Sequence, residues 1–93
     1  MAEKHSQSLQ DLPNIGPEVA GLLERAGIRT PGELFDTGAV GAALRIRSIR
    51  PQDPPCRSLL CGLEGAIRGV RWHLIPRAER DALWRQYEAR AGR

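Results

Sequence analysis

The amino-acid sequence predicts an all-α fold, a compact single domain of five helices, and three observations carry that reading. Apolar residues recur at helical spacing in one segment after another, and no run alternates with the period of two that a half-buried strand requires. Proline or a capping hydroxyl precedes the apolar runs and glycine follows them, which is the punctuation of helix starts and stops. The chain has 93 residues, enough for one domain, and a domain of that size buries about 60–65% of its unfolded surface.

The elements follow in order. Residues 1–8 read as a polar tail, and residues 9–91 as the helical domain. Ser8 to Pro13 is a short helix or turn that ends at Pro13, because the residue before proline is pushed out of the α region. Asn14-Ile15-Gly16 is a tight turn made of residues that tolerate left-handed backbone angles. Pro17 then suits the first position of a helix over 17–26, whose apolar face is Val19, Ala20, Leu22, Leu23 and Ala26 and whose stop is Gly27. Thr30-Pro31-Gly32-Glu33 is a capping box that opens a short helix over 31–37, ended by Gly38. Residues 39–47 form the next helix, with Val40, Ala43, Leu44 and Arg47 on one side. Ser48 to Pro55 holds three prolines and reads as an exposed loop.

Residues 56–70 give the strongest helix, expected to be the central element. Leu59, Leu63, Ala66, Ile67 and Val70 form its buried stripe, and Gly62, Gly65 and Gly69 a second one. Each glycine costs roughly 1 kcal/mol against alanine in a helix interior, so three of them call for a reason: close approach of another helix backbone, or a partner contact. Trp72 and Leu74 follow as anchors, and Pro76 opens a last helix over 77–90 with Leu83, Trp84, Tyr87 and Ala91 on its apolar face. The expected core is Leu12, Ile15, Val19, Leu23, Ile28, Leu34, Leu44, Leu59, Leu63, Ile67, Trp72 and Leu83.

One motif resembles the helix-hairpin-helix family. It runs Leu12-Pro13-Asn14-Ile15-Gly16-Pro17, then Ala20, Leu23, Ala26-Gly27-Ile28-Arg29-Thr30 and Leu34. In DNA-binding members of that family the hairpin amides hold a phosphate at the second helix's N-terminus, where free N–H groups and the helix dipole favour an anion. In this sequence Asn14 replaces the first glycine, Pro17 removes one N–H, and Glu18 adds a carboxylate beside the site. Asn14, Ile15 and Gly16 therefore form either a phosphate hairpin or a turn kept for packing.

A second, far more specific resemblance covers Leu12 to about Tyr87. The hairpin motif, then Leu59-Leu60-Cys61-Gly62-Leu63-Glu64-Gly65-Ala66-Ile67-Arg68-Gly69, then Trp72 and Leu74-Ile75-Pro76, resembles the C-terminal domain of the TfoX/Sxy family. Cys61 and Gly62 stand where members often carry Tyr-Ala. Members are bacterial regulators of DNA transformation. The resemblance implies a helical domain that assists transcription of competence genes alongside the cyclic-AMP receptor protein. The family's two-domain regulators have a further N-terminal domain, so this chain is expected to be a stand-alone C-terminal module.

Charge is distributed unevenly. Residues 1–43 carry a net −3 and residues 44–93 a net +6, with arginine outnumbering lysine 13 to 1. Any basic partner-facing surface belongs to the second half. Its candidates are Arg57, Arg68 and Arg71, which share a helix face with Glu64, and the cluster Arg45, Arg47 and Arg50 beside the proline loop. Glu64 and Arg68 form an i, i+4 pair worth about 0.2–0.5 kcal/mol. Each arginine set is either solvated or a contact for an acidic protein surface or for phosphates.

Catalysis finds no support in the sequence. Ser48 and Ser58 have no recognisable base, Cys56 and Cys61 with His5 and His73 do not make a zinc pattern, and there is no glycine-rich nucleotide loop. The cysteines read as reduced and partly buried. No cofactor or metal is expected, and no apolar run approaches the roughly 20 residues of a membrane span. The expectation is a cytoplasmic, non-enzymatic binding module whose partner is a protein of the transcription machinery, with double-stranded DNA as the alternative.

Overall fold

Helix punctuation sets the architecture. In this computed structural model, which describes residues 7–92, a 3-10 turn at Leu9–Asp11 precedes α1 (Pro17–Arg25), α2 (Pro31–Thr37), α3 (Ala39–Ile49) and α4 (Arg57–Arg68). A second 3-10 turn at Trp72–Leu74 then leads into α5 (Arg77–Arg90). Among the described residues there is no strand, and no helix is long and apolar enough to cross a membrane. Most of the expected polar tail, residues 1–6, lies outside the described residues.

Each boundary has a local cause. Gly16 is the N-cap of α1 and Pro17 its first residue. The end of α1 is a Schellman motif: Gly27, at φ 89°, donates to Glu24, and Ile28 donates back to the Leu23 carbonyl at 2.8 Å. Thr30 caps α2 by accepting from the Glu33 N–H at 3.1 Å. The Glu33 carboxylate reaches one residue further back than the usual box and accepts from the Arg29 N–H at 2.6 Å. Gly38, at φ 81°, ends α2 and starts α3.

Several boundaries differ from the sequence reading. Helix α3 continues through Ser48 and Ile49, because Pro51 restricts only Arg50, and the last turn closes before it. Helix α4 stops at Arg68, since Gly69 takes the left-handed conformation at φ 80°, so Val70 belongs to the following loop and Gly69 is a cap rather than part of a glycine stripe. Pro76 is the N-cap of α5, one position outside the helix.

Helix α4 is the central element, packed against α2, α3, α5 and the second 3-10 turn. Its buried side is wider than the predicted stripe and includes Leu60, Cys61, Gly62, Leu63, Gly65 and Ala66. The fully buried large side chains are Leu23, Ile28, Leu34, Ile46, Leu60 and Leu63. Leu12 and Ile15 are buried as expected. Val19, Leu44, Leu59, Ile67 and Leu83 are only half-buried and pack on the margin of the core, and Trp72 is half-buried outside it. The anchor after α4 is Ile75, at 2% exposure, whereas Leu74 stands 64% exposed. Small residues explain the shift on α3, where Ala39, Ala42 and Ala43 with Ile46 form the buried face and Leu44 moves to its edge.

Leu63→Ala is expected to lower unfolding stability by about 2–5 kcal/mol as a core truncation. Leu59→Ala, at the half-exposed margin, is expected to cost much less. Urea denaturation of both variants checks this, and equal losses would refute the placement of the α4 faces.

Candidate functional site

The hairpin turn is bound into the molecule by one side chain. Asn14 has φ 70°, in the left-handed region that its short polar side chain tolerates. Its Nδ2 donates to the carbonyls of Gly62 at 3.2 Å and Val70 at 3.0 Å, and its Oδ1 accepts from the Trp72 N–H at 3.2 Å. The residue that departs from the hairpin motif thus fastens the hairpin to the C-terminal half of α4. The α4 glycines answer this contact: a Cβ on Gly65 would lie 2.5 Å from Asn14 Nδ2 and 2.6 Å from the Val70 carbonyl oxygen. On Gly62 it would meet Asn14 Cβ at 3.5 Å, an ordinary contact. The close approach is made by a turn and a loop rather than by another helix.

The candidate arginines do not form one surface. Arg68 binds Glu64 on its own helix at 2.8 Å and Glu79 on α5 at 2.6 Å, and these two carboxylates hold its guanidinium protonated above its ordinary range. Arg57 pairs with Asp81 of α5, and its guanidinium lies 5.9 Å from the Trp84 ring centre. Arg47 donates to the Ala91 carbonyl at 2.9 Å. Arg50 donates to the Asp53 carbonyl at 3.0 Å and pairs with its carboxylate at 3.5 Å, closing the proline loop. Arg45 is exposed near the α1–α2 turn.

Arg71 is displaced from the expected α4 face because the helix has already ended. It emerges beside the hairpin, where it lines a groove with Asp11, Pro13, Asn14 and Gly16. Among the described residues it makes no ion pair. On its other side Arg71 borders a second groove, floored by the half-buried Val19, Leu59 and Trp72 and rimmed by His73. This groove, between α1, α4 and the second 3-10 turn, brings apolar surface and positive charge together. The exposed Leu74 is next along the chain.

A third depression, lined by Arg57, Ser58, Cys61, Arg77, Arg80 and Asp81, lies beyond Trp72. Sequence reading did not single out Arg77 or Arg80; the available signal was Arg77 at the first position of a helix, where a cation is unfavourable. Cys61 is buried and Cys56 exposed, and both are free thiols. Burial pushes the Cys61 thiol above its ordinary range, partly opposed by Arg80 and Arg57. Among the described residues no group of three or more His, Cys, Asp or Glu side chains converges as a metal site would require.

Comparison with known proteins bears on the same span. The family model of the TfoX C-terminal domain matches residues 5–87. The fold is similar to a crystal structure of an uncharacterized protein from Listeria monocytogenes in a triclinic form, with a TM-score of 0.82 and 40% identity over 92% of this chain and 96% of that one. It is also similar to a tetragonal form of a protein of unknown function from Listeria monocytogenes, with a TM-score of 0.78 and 41% identity over 87% of this chain and 96% of that one. Comparison with curated proteins gives no match.

Two outcomes follow from the geometry. Asn14→Ala is expected to cost about 2–4 kcal/mol, since it strands the Val70 carbonyl and the Trp72 N–H and puts alanine at positive φ. Gly65→Ala should cost about 1–3 kcal/mol by overpacking, while Gly62→Ala stays within about 1 kcal/mol of the parent. Urea unfolding ranks them, and a tolerated Gly65→Ala would refute the contact. In thiol labelling at neutral pH, Cys56 is expected to react at once and Cys61 only as fast as the fold opens. Similar rates for both would contradict the burial of Cys61.

Proposed function

We propose, because this chain belongs to the TfoX C-terminal domain family, that it acts as a non-enzymatic protein-docking module in transcriptional regulation. The groove of Val19, Leu59 and Trp72 beside Arg71 carries the reading. An apolar floor next to an arginine without a carboxylate partner among the described residues fits a protein segment with apolar side chains flanked by acidic ones. Buried aromatic and aliphatic anchors supply affinity in such contacts, and rim charges supply orientation and rate. The net +6 of residues 44–93 favours an acidic partner. Competence-gene regulation alongside the cyclic-AMP receptor protein, in the cytoplasm, is the role that the family resemblance suggests for this module.

Double-stranded DNA is the competing partner, and the geometry favours it less. Arg47, Arg50, Arg57 and Arg68 are already committed to contacts within the chain. Phosphate neutralisation, which supplies most of the sequence-independent DNA affinity, would have to draw on the others or break those contacts.

The test uses Trp84→Phe, which leaves Trp72 as the single tryptophan reporter. Titration with the purified cyclic-AMP receptor protein is expected to give a saturable change in Trp72 emission. Arg71→Glu should weaken that binding at least about tenfold while the domain stays folded. A partner that binds the parent and the Arg71→Glu variant equally would sink the groove assignment. Submicromolar binding to duplex DNA instead, with a slope near −0.9 per phosphate contact in salt titrations, would move the reading to DNA.

A further inference from the structure

Beyond Trp72 from the docking groove, a cleft opens between the first turns of α4 and α5. Arg57, Ser58 and Cys61 reach it from α4, and Arg77, Arg80 and Asp81 from α5. Its charge is unbalanced: three guanidinium groups face one carboxylate, and that carboxylate, Asp81, is taken by Arg57.

The placement of these cations is unfavourable without a further group. Arg57 and Arg77 are the first residues of α4 and α5, and Arg80 is in the next turn. The partial positive charge of a helix N-terminus repels cations there. Helix α4 has no acidic residue in its first turn, and the one in α5, Glu79, is bound to Arg68. Neither N-cap, Cys56 nor Pro76, supplies a side-chain hydrogen bond.

Arg80 is nevertheless fixed in place and half-buried. Its Nε donates to the Ile75 carbonyl at 3.0 Å, and its guanidinium lies 5.4 Å from the Trp72 ring centre. The terminal nitrogens have no acceptor among the described residues. A guanidinium held in place with its terminal nitrogens free is preorganised to bind an anion. A guanidinium presents its donors as a planar fork suited to phosphate oxygens.

We propose that this cleft binds a phosphate group, free or as the monoester of a small molecule. Arg77 and Arg80 supply the charged donors, and the Ser58 hydroxyl a neutral one. Arg57, already paired with Asp81, closes one wall. Ser58 and Trp72 border both depressions, but Arg77 and Arg80 do not line the docking groove, so the two arginines test this assignment separately from the docking reading.

The test is an amide-resonance titration of the full chain in phosphate-free buffer, at ionic strength held constant with sodium chloride. Inorganic phosphate is expected to shift the Ser58, Arg77 and Arg80 amides saturably. Arg77→Gln and Arg80→Gln should each weaken binding at least about tenfold. Arg77 makes no hydrogen bond or ion pair among the described residues, so its variant reports on the ligand rather than on folding. Arg45→Gln, on α3, should leave binding unchanged. Glycerol 3-phosphate titrated in parallel separates the sources: equal affinity assigns the free anion, and tighter binding assigns a small phosphomonoester. Shifts that fail to saturate, that chloride reproduces, or that survive both glutamine variants would overturn the site. Phosphate binding retained in Arg71→Glu would keep this result distinct from any failure of the docking reading.

Discussion

The amide of Asn14 is the contact on which the arrangement of the molecule depends. A turn of Pro-Asn-Ile-Gly cannot satisfy its own surroundings. Its neighbours, α4 and the loop after it, present the Gly62 carbonyl, and the Val70 carbonyl and Trp72 N–H that lie outside the helix. One side chain meets all three, because a primary amide offers two donors and an acceptor on one plane. The same contact excludes a side chain at Gly65, so a residue that weakens α4 as a helix is what lets α4 be gripped. The loop held in this way carries Trp72, and Trp72 lines both the apolar groove and the cationic cleft. Both candidate sites thus inherit their geometry from one hydrogen-bonded turn.

The arginines show why charge counted along a sequence differs from charge presented to a partner. Of the six candidate residues, Arg68 ties α4 to α5 through Glu79, Arg57 does the same through Asp81, and Arg47 holds the chain beyond α5. These contacts use the net positive second half to join α3, α4 and α5. Exposed pairs of this kind contribute only about 0–1 kcal/mol each, so their main effect is on orientation. Among the cations left over, Arg71 lines the groove at the hairpin and Arg77 and Arg80 line the cleft.

The fold was legible because its signals are local. Pro17, Thr30, Gly27, Gly38 and the apolar spacing of α1, α4 and α5 act within a turn of the residue concerned, and the five helices appear where they place them. Two local errors have equally local causes: Pro51 acts on Arg50 alone, and Gly69 ends α4 two residues early. The site was less legible because its partners are distant. Asn14 reads as a turn former from its neighbours, and its bonding to Gly62, Val70 and Trp72 depends on pairings that helical periodicity does not encode. Alanines on α3 were undervalued as core, since their small size permits close helix packing that side-chain volume alone does not suggest. Arg77 and Arg80 carry no local signal of a site, since the cleft exists only where the fold brings α4 beside them.

The reach of the Asn14 contacts also has a consequence in time. Its three bonds span 48, 56 and 58 residues of chain. Helices assemble within microseconds from neighbouring residues, but a link of this length must close a long loop before it gains anything. During synthesis the asparagine emerges first, and its partners follow only after most of the chain has been made, at about 5–20 residues per second. The earliest turn of the domain therefore waits several seconds on the ribosome for the segment that fixes it. Until then Leu12 and Ile15 have no completed core to enter, and the nascent first half carries them exposed.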